Sequence, residues 1–217
     1  MPKKEEFHRD YYKGSNAEHY ADSSWMARNQ LKTAERAYQL LNDEKIGGDL
    51  AENPKNQVIL DLGCGTGYSR VLFDELGFST MGIDISFDML IHNKKYHELL
   101  DEEDGVDTLK PILIAAQIED LPLRPRVCDH IISFSAFNFI FDRAKNTHEK
   151  KSIIRRVIEH ILSVLKKNGR VIIEFYPKQQ DLDLYLNSLR NDFIGGLVID
   201  NPGLRKEQKF LILKKSK

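Results

Sequence analysis

The sequence has few cysteines and no long apolar run. Cys64 and Cys128 are the only two cysteines in 217 residues. This excludes a disulfide framework and makes a reducing compartment the default. No apolar stretch approaches the roughly 18 residues of a membrane span, and MPKKEEFHRD at the start lacks the apolar centre of a signal peptide. We therefore expect a soluble protein of the cytoplasm or, in a eukaryotic cell, of the nucleus.

Charge and histidine content favour no class of partner. The formal net charge is −1 at pH 7, so composition neither requires nor excludes a nucleic acid. The histidines show no metal-binding spacing, because His92 and His97 are five residues apart and diverge around a helix. We predict no metal site.

Apolar runs alternate with amphipathic segments, which predicts one doubly wound α/β domain. The clearest helix covers 147–166, and Asn168-Gly169 ends it. About ten residues join the last two strands, too few for a crossover helix, so these strands should pair antiparallel. Residues 1–50 form a predicted N-terminal helical cap over a cofactor cleft. The predicted strands are 57–62, 79–84, 112–116, 129–135, 170–175, 195–199 and 209–213.

The stretch VILDLGCGTGYSR, residues 58–70, places three glycines where a strand ends and a helix begins. Such turns let backbone N–H groups and a helix N-terminus approach a nucleotide cofactor. The dinucleotide pattern needs its third glycine where Tyr68 stands, and Gly67 comes one residue early. Asp61 ends the strand and would repel a pyrophosphate but attract a sulfonium and an amino group. The stretch therefore favours S-adenosyl-L-methionine (SAM) over NAD.

Polar residues also follow the next two strands. Asp84 ends the second strand, where its carboxylate can accept hydrogen bonds from both ribose hydroxyls. The alternative is that Asp84 only caps the helix that begins near Ser86. Gln117 and Ile118 follow the third strand and stand where they can contact an adenine edge.

Five segments resemble class I SAM-dependent methyltransferases: LDLGCGTG, GID, QIEDLP, DHIISFSAFNF and LKKNGRVIIEFY. The resemblance implies a Rossmann-like fold, a seven-stranded, mostly parallel sheet with one antiparallel strand and helices on both faces. It also implies that Gly63 and Gly65 contact the methionine part of SAM, that Asp84 contacts the ribose, and that Gln117 and Ile118 contact the adenine.

The resemblance covers about residues 55–175, and we assign 51–217 to the methyltransferase domain. The predicted SAM-binding residues are Tyr20, Gln30, Asp61, Gly63, Cys64, Gly65, Asp84, Ile85, Gln117, Ile118 and Ser133.

A narrower resemblance lies mostly outside those segments. AEHYADSSWMARNQLKTAERAYQLL, SFSAFNF, FYPKQQDL and GGLVIDNP followed by RKEQKFLIL are similar to the small-subunit rRNA (guanine-N(7)) methyltransferase family. The C-terminal element is the more specific one, because a general methyltransferase has no reason to share it. This resemblance implies methylation of guanine N(7) in small-subunit rRNA during ribosome biogenesis. It also implies a small zinc-binding activator subunit, which would add a strand to the outermost, third strand.

The chemistry of the acceptor agrees with this resemblance. Guanine N(7) offers a lone pair and loses no proton, so its methylation needs no catalytic base. SAFNF lacks the Asn/Asp-Pro-Pro-Tyr pattern of amino methylation, and Cys64 and Cys128 do not stand where a carbon-5 pyrimidine nucleophile is expected. We predict that Phe139 stacks on the acceptor base, with simple packing as the alternative, and that Asn138 can bond the edge of the base.

Two other functions stay open from the sequence: methylation of a small metabolite, and a SAM-binding ribosome assembly factor whose catalysis is secondary. A basic C-terminal end can be a solvated surface or a set of RNA phosphate contacts. Its members are Arg205, Lys206, Lys209, Lys214, Lys215 and Lys217.

Overall fold

The computed structural model describes residues 11–48, 54–94 and 112–216. Seven strands form one sheet in this part of the chain: β1 (Val58–Leu62), β2 (Ser79–Asp84), β3 (Ile112–Ala115), β4 (Cys128–Phe134), β5 (Leu165–Glu174), β6 (Phe193–Asp200) and β7 (Gln208–Lys215). Their order is β3-β2-β1-β4-β5-β7-β6. Strand β7 runs antiparallel to both of its neighbours, and the other paired strands run parallel. The predicted sheet is confirmed, including its single reversed strand and its outermost third strand.

Helices cover both faces of the sheet. The helices in the described residues are α1 (Ser15–Ala21), α2 (Ser24–Leu41), α3 (Tyr68–Glu75), α4 (87–94, where this described range ends), α5 (Thr147–Val164) and α6 (Gln179–Leu189). None of them is long and apolar enough to cross a membrane.

Adjacent side chains on the central strands pack into two hydrophobic clusters, one on each face of the sheet. On β4, Ile131 belongs to the cluster under α5 and α6, and Ile132 belongs to the cluster under α2 and α3. On β7, Leu211 and Ile212 divide in the same way. All four side chains have no exposed surface. The helix α2 therefore contributes to the core as well as to the predicted cap, and the division of the chain at residue 50 stays a prediction.

The boundary between α5 and β5 corrects the prediction that one helix covers 147–166. The helix ends at Val164, and β5 begins at once at Leu165. The carbonyl of Val164 accepts the N–H of Val127 at 2.8 Å, which holds the chain beside the start of β4. Asn168, with φ 62°, lies within irregular pairing of these strands rather than at a helix end. Tertiary pairing thus overrides the local helix-stop signal.

The direction of the strands determines which loops share one edge of the sheet. Strands β1, β2 and β4 are parallel, so their carboxyl ends lie together at one edge. Strand β6 runs in the same direction, since both it and β5 are antiparallel to β7. The loop 201–207 after β6 therefore lies at this carboxyl edge as well. Residues 1–10 and 49–50 of the predicted cap, His97 and Lys217 lie outside the described residues.

Candidate functional site

A cavity opens at the carboxyl edge of β1, β2 and β4. Counted to its open mouth, and including open solvent, it has a volume of about 980 Å³. Of the thirteen residues predicted for the site, eleven line this cavity: Tyr20, Gln30, Asp61, Gly63, Cys64, Gly65, Asp84, Ile85, Gln117, Ile118 and Phe139.

The glycine turn forms the floor of the cavity. The N–H groups of Gly63 and Cys64 donate to the carbonyl of Ile83 at 2.7 and 3.0 Å, which fixes the turn against β2. Gly63 has φ +76°, and a Cβ added there would lie 2.2 Å from the Cβ of Ala136. Only glycine lets the backbone take this conformation and approach the β4 loop so closely. The helix α3 then begins at Tyr68.

Asp61 is a buried carboxylate at the end of β1. The residue is 1 % exposed, and its Oδ2 accepts a hydrogen bond from the hydroxyl of Ser69 at 3.0 Å. Burial raises the pKa of Asp61 to about 7, although Ser69 and the nearby Arg70 lower it. A carboxylate with so little solvation gains strongly from a cationic ligand.

Asp84 connects the glycine turn to the loop before α4. Its Oδ2 accepts the N–H of Gly65 at 2.9 Å, and its Oδ1 accepts the N–H of Ser86 at 2.8 Å. Burial raises the pKa of Asp84, and these backbone hydrogen bonds oppose that shift. The hydroxyl of Ser86, rather than the carboxylate, accepts the N–H of Met89 in the first turn of α4. Capping of the helix alone is therefore not the role that the geometry gives to Asp84.

Aromatic side chains from the N-terminal segment form one wall. The rings of Tyr12 and Tyr20 meet edge to face with centroids 5.5 Å apart, and Gln30 Nε2 donates to the Tyr20 hydroxyl at 3.2 Å. Tyr12 also meets Phe139 edge to face at 6.0 Å. Sequence reasoning missed Tyr12 as a site residue, although the aromatic enrichment of this segment is the signal that could have identified it.

After the end of β4, Ser135 and Phe139 line the cavity. Two residues predicted for the site lie outside it. Ser133, predicted to bind SAM, is completely buried, and its hydroxyl donates to the carbonyl of Leu62 at 2.7 Å. Asn138 accepts the backbone N–H of Tyr176 on Oδ1 at 2.7 Å. The geometry therefore gives Ser133 a role between strands and ties Asn138 to the end of β5.

Neither cysteine has the surroundings of a nucleophile. Both thiols are buried, and burial raises the pKa of Cys64 well above its usual value and that of Cys128 to about 12. In the part of the chain that the structure describes, no group of three or more His, Cys, Asp or Glu side chains is placed to hold a metal ion. What the cavity does offer is two carboxylates, a glycine floor and an aromatic wall.

Comparisons with known proteins identify the family of this chain. The family model described as "Methyltransferase domain" matches residues 60–173. An 18S rRNA (guanine-N(7))-methyltransferase of Arabidopsis thaliana is 31 % identical over 94 % of this chain and 65 % of its own length. A probable 18S rRNA (guanine-N(7))-methyltransferase of Dictyostelium discoideum is 28 % identical over 94 % of this chain and 66 % of its own length. The chain thus spans about two thirds of the length of these curated relatives.

Solved structures show the same fold at low identity. The magnesium protoporphyrin IX methyltransferase of Synechocystis, with bound SAM, has a TM-score of 0.62 and 17 % identity, and the match covers 96 % of this chain and 95 % of that one. A SAM-dependent methyltransferase of Aquifex aeolicus has a TM-score of 0.60 and 14 % identity, covering 93 % and 97 %. These likenesses show the class I methyltransferase fold.

Proposed function

Because this chain belongs to the methyltransferase domain family, whose model matches more than half of its residues, we propose that it transfers the methyl group of SAM to guanine N(7) in small-subunit rRNA. The observation that carries the proposal is the extent of the match to the 18S rRNA relatives. It covers 94 % of the chain, well beyond the methyltransferase domain itself. The enzyme would act in ribosome biogenesis, in the cytoplasm or the nucleus.

The residues of the cavity fit SAM. Asp61 and Asp84 are anionic partners for a ligand that carries a sulfonium and an amino group. The glycine floor has no side chain at Gly63, because a Cβ there would lie 2.2 Å from the Cβ of Ala136, and the turn can therefore pack closely beneath the cavity. The carboxylate of Asp84 accepts backbone N–H groups of Gly65 and Ser86 and a further one of Ile85. A carboxylate has about four acceptor positions, so capacity remains for a ribose hydroxyl.

The chemistry of transfer makes few demands on the protein. When bound, SAM supplies a methyl group on a positively charged sulfur, and the lone pair of guanine N(7) can accept that methyl group without losing a proton. The buried, neutral thiols of Cys64 and Cys128 are consistent with a reaction that needs no cysteine nucleophile. The residues around the cavity then catalyse by holding the base in line and by excluding water. Phe139 and Tyr12 supply the aromatic surfaces for this task.

SAM affinity should rise with pH between about 6 and 8 because of Asp61. Burial raises the pKa of this carboxyl to about 7, so it is largely neutral below that pH and binds a cation poorly. In the protein without SAM, the raised pKa has the opposite effect on stability. The free energy of unfolding falls as the pH rises from 3.8, the ordinary pKa of an aspartate, through about 7. Calorimetric titration of SAM at several pH values measures the first effect.

The expected change in the dissociation constant is up to about tenfold per pH unit below the pKa, with proton release on binding. Asp61→Asn should bind SAM more weakly and with a flat pH profile. A wild-type affinity that is independent of pH over this range would contradict the role of Asp61.

The predicted basic end divides between the two edges of the sheet. Arg205 and Lys206 are exposed in the loop 201–207, at the carboxyl edge where the cavity opens. Lys215 lies near the opposite edge, and its Nζ donates to the carbonyls of Leu162 and Leu165 at 2.6 and 3.0 Å. We assign RNA phosphate contacts to Arg205 and Lys206 and a structural role to Lys215.

The second proposed partner is a small zinc-binding activator subunit that adds a strand to β3. This strand is at one end of the sheet, and Ile112 is 54 % exposed. The N–H of Ala116 donates to the carbonyl of Asp84 at 3.0 Å. Because inward and outward N–H groups alternate along a strand, the N–H of Ala115 points away from β2 and toward an added strand.

Ala115→Pro should therefore prevent binding of the activator while the β2–β3 pairing remains intact. The substitution removes one outward donor and places a ring at the edge, so recovery of the activator after co-expression should fall about tenfold or more. Ala115→Ser keeps the N–H and is the matched control. Co-purification and thermal melting of both variants provide the measurement. A wild-type protein that is soluble, monomeric and fully active alone would remove the activator from the proposal but leave the methyltransferase intact.

Sequencing of small-subunit rRNA for N(7)-methylguanosine tests the proposed function. A strain that lacks the protein would be complemented with the wild type or with Asp84→Ala. Loss of one N(7)-methylguanosine, restored only by the wild type, is the expected result. Normal methylation in the deletion strain would indicate a small-metabolite substrate. Restoration of ribosome assembly by both proteins would indicate an assembly factor whose catalysis is secondary.

A further inference from the structure

A buried carboxylate lies directly behind the end of β4, where we propose that the acceptor base enters the cavity. Glu174 is the last residue of β5, is 4 % exposed, and pairs with Phe134 at the end of β4. Ser135 follows Phe134 and lines the cavity. The Ser135 N–H donates to the Glu174 carbonyl, and its hydroxyl donates to Glu174 Oε2, both at 2.9 Å. One residue thus holds the backbone and the side chain of Ser135.

Other protein donors also occupy this carboxylate. The hydroxyl of Tyr176 and the side-chain amide of Gln208 form hydrogen bonds with Glu174. Burial raises the pKa of Glu174, and these donors oppose that shift. Glu174 does not line the cavity, so it can act on a substrate only through Ser135. Ser135 itself has φ 61°, a left-handed conformation that is uncommon for serine and that the contacts with Glu174 help to hold.

We propose that the hydrogen bond from the Ser135 hydroxyl to Glu174 leaves Ser135 able only to accept hydrogen bonds from a ligand in the cavity. This orientation would select guanine as the base to be methylated. A serine hydroxyl has one proton and two lone pairs. Because the hydroxyl of Ser135 donates its proton in the hydrogen bond to Glu174, only its lone pairs remain for a ligand. At positions 1 and 2 guanine presents an N–H and an amino group, whereas adenine presents a bare nitrogen and a C–H. Glu174 is a positioning residue in this scheme, which rests on the proposed function.

The proposal is tested by substituting the target base in a fragment of small-subunit rRNA. Fragments would carry guanosine, inosine, which lacks the 2-amino group, or 2-aminopurine riboside, which lacks the N1–H. The wild type should prefer guanosine to at least one analogue by about tenfold or more in kcat/KM. Ser135→Ala should lose this preference, because the acceptor atom is gone. SAM affinity, measured by calorimetry, should change less than about twofold, since the change lies on the acceptor side.

Two further variants separate specificity from structure. Glu174→Gln should reduce the preference without abolishing SAM binding, because its single amide oxygen replaces two carboxylate oxygens. Ser188→Ala removes a helical hydroxyl that donates to the carbonyl of Leu184 and should keep the preference. If Glu174→Gln does not fold, Ser135→Ala decides alone, since Tyr176 and Gln208 still bind Glu174 in that variant.

The outcomes distinguish this inference from the proposed function. A wild type that methylates guanine N(7) but shows no preference among the three bases overturns the inference alone. So does a Ser135→Ala protein that keeps the wild-type preference. A wild type that binds SAM but forms no N(7)-methylguanosine on the guanosine fragment overturns both.

Discussion

Replacing Asp84 with alanine is expected to weaken SAM binding by about 2–4 kcal/mol, or about 30- to 1,000-fold in the dissociation constant. The variant would lose the charge-assisted hydrogen bonds to the ribose that we propose for this carboxylate. It also loses the bonds that Asp84 makes to the N–H groups of Gly65 and Ser86. Those bonds join the glycine turn to the loop before α4. The variant should therefore hold the glycine turn less firmly and also lack the carboxylate that interacts with SAM. Calorimetry on the purified variant measures the change.

Asp129 provides a matched control for this variant. It is also a carboxylate that accepts a backbone N–H from a neighbouring strand, that of Val58 at 2.9 Å, but it stands at the start of β4, at the opposite edge of the sheet. Asp129→Ala should lower the melting temperature and leave SAM affinity within about twofold of the wild type. A folded Asp84→Ala protein with unchanged SAM affinity would sink the assignment of the ribose site.

The two carboxylates of the site could be predicted from sequence because topology alone brings them together. Asp61 and Asp84 end two strands that are separated by one helix, and adjacent parallel strands end at the same edge of a sheet. The glycine pattern between them sets the position of the turn. No knowledge of side-chain packing is needed for either inference, which is why the two carboxylates and the glycine turn follow from the sequence.

The contact between Ser135 and Glu174 could not be predicted in this way. It depends on the pairing of Phe134 with Glu174, and thus on the register of β4 and β5. That register shifts near Cys128, where β5 begins earlier than the sequence predicts. Ser133 illustrates the same limit, because only the structure shows that its hydroxyl is bonded to β1 and not turned toward the cavity. Sequence pattern specifies the strands but not the register of side chains across them.

The aromatic wall required information from distant parts of the chain. Tyr12 and Phe139 are far apart in sequence, yet their rings meet edge to face at 6.0 Å. The carbonyl of Tyr12 accepts the hydroxyl of Ser86, and the N–H of Gly14 donates to Asp88 at 2.7 Å. These bonds hold the N-terminal segment against the loop that follows Asp84. The spacing of apolar residues along the chain cannot predict this arrangement, because it depends on contacts between residues that are distant in sequence.

Phe139→Ala is expected to lower methyl transfer by about 100-fold or more while SAM affinity changes less than about threefold. Phe139 lines the cavity beside Tyr12 and belongs to the turn after β4, where we propose that the acceptor base binds. The residue is only partly buried, so we expect truncation to remove a stacking surface for the base rather than part of the core. Steady-state kinetics with rRNA and calorimetry with SAM separate the two effects.

Phe141 is the matched control, because it is also partly buried but lies outside the cavity. Its ring packs against Tyr185 with centroids 5.2 Å apart, and Lys150 Nζ lies 5.5 Å from its centre. Phe141→Ala should therefore cost stability and leave kcat/KM close to the wild-type value. If Phe139→Ala instead loses SAM binding and methyl transfer equally, with a melting temperature as low as that of Phe141→Ala, then Phe139 is a packing residue. The acceptor surface would in that case have to be formed by the other residues of the β4 turn.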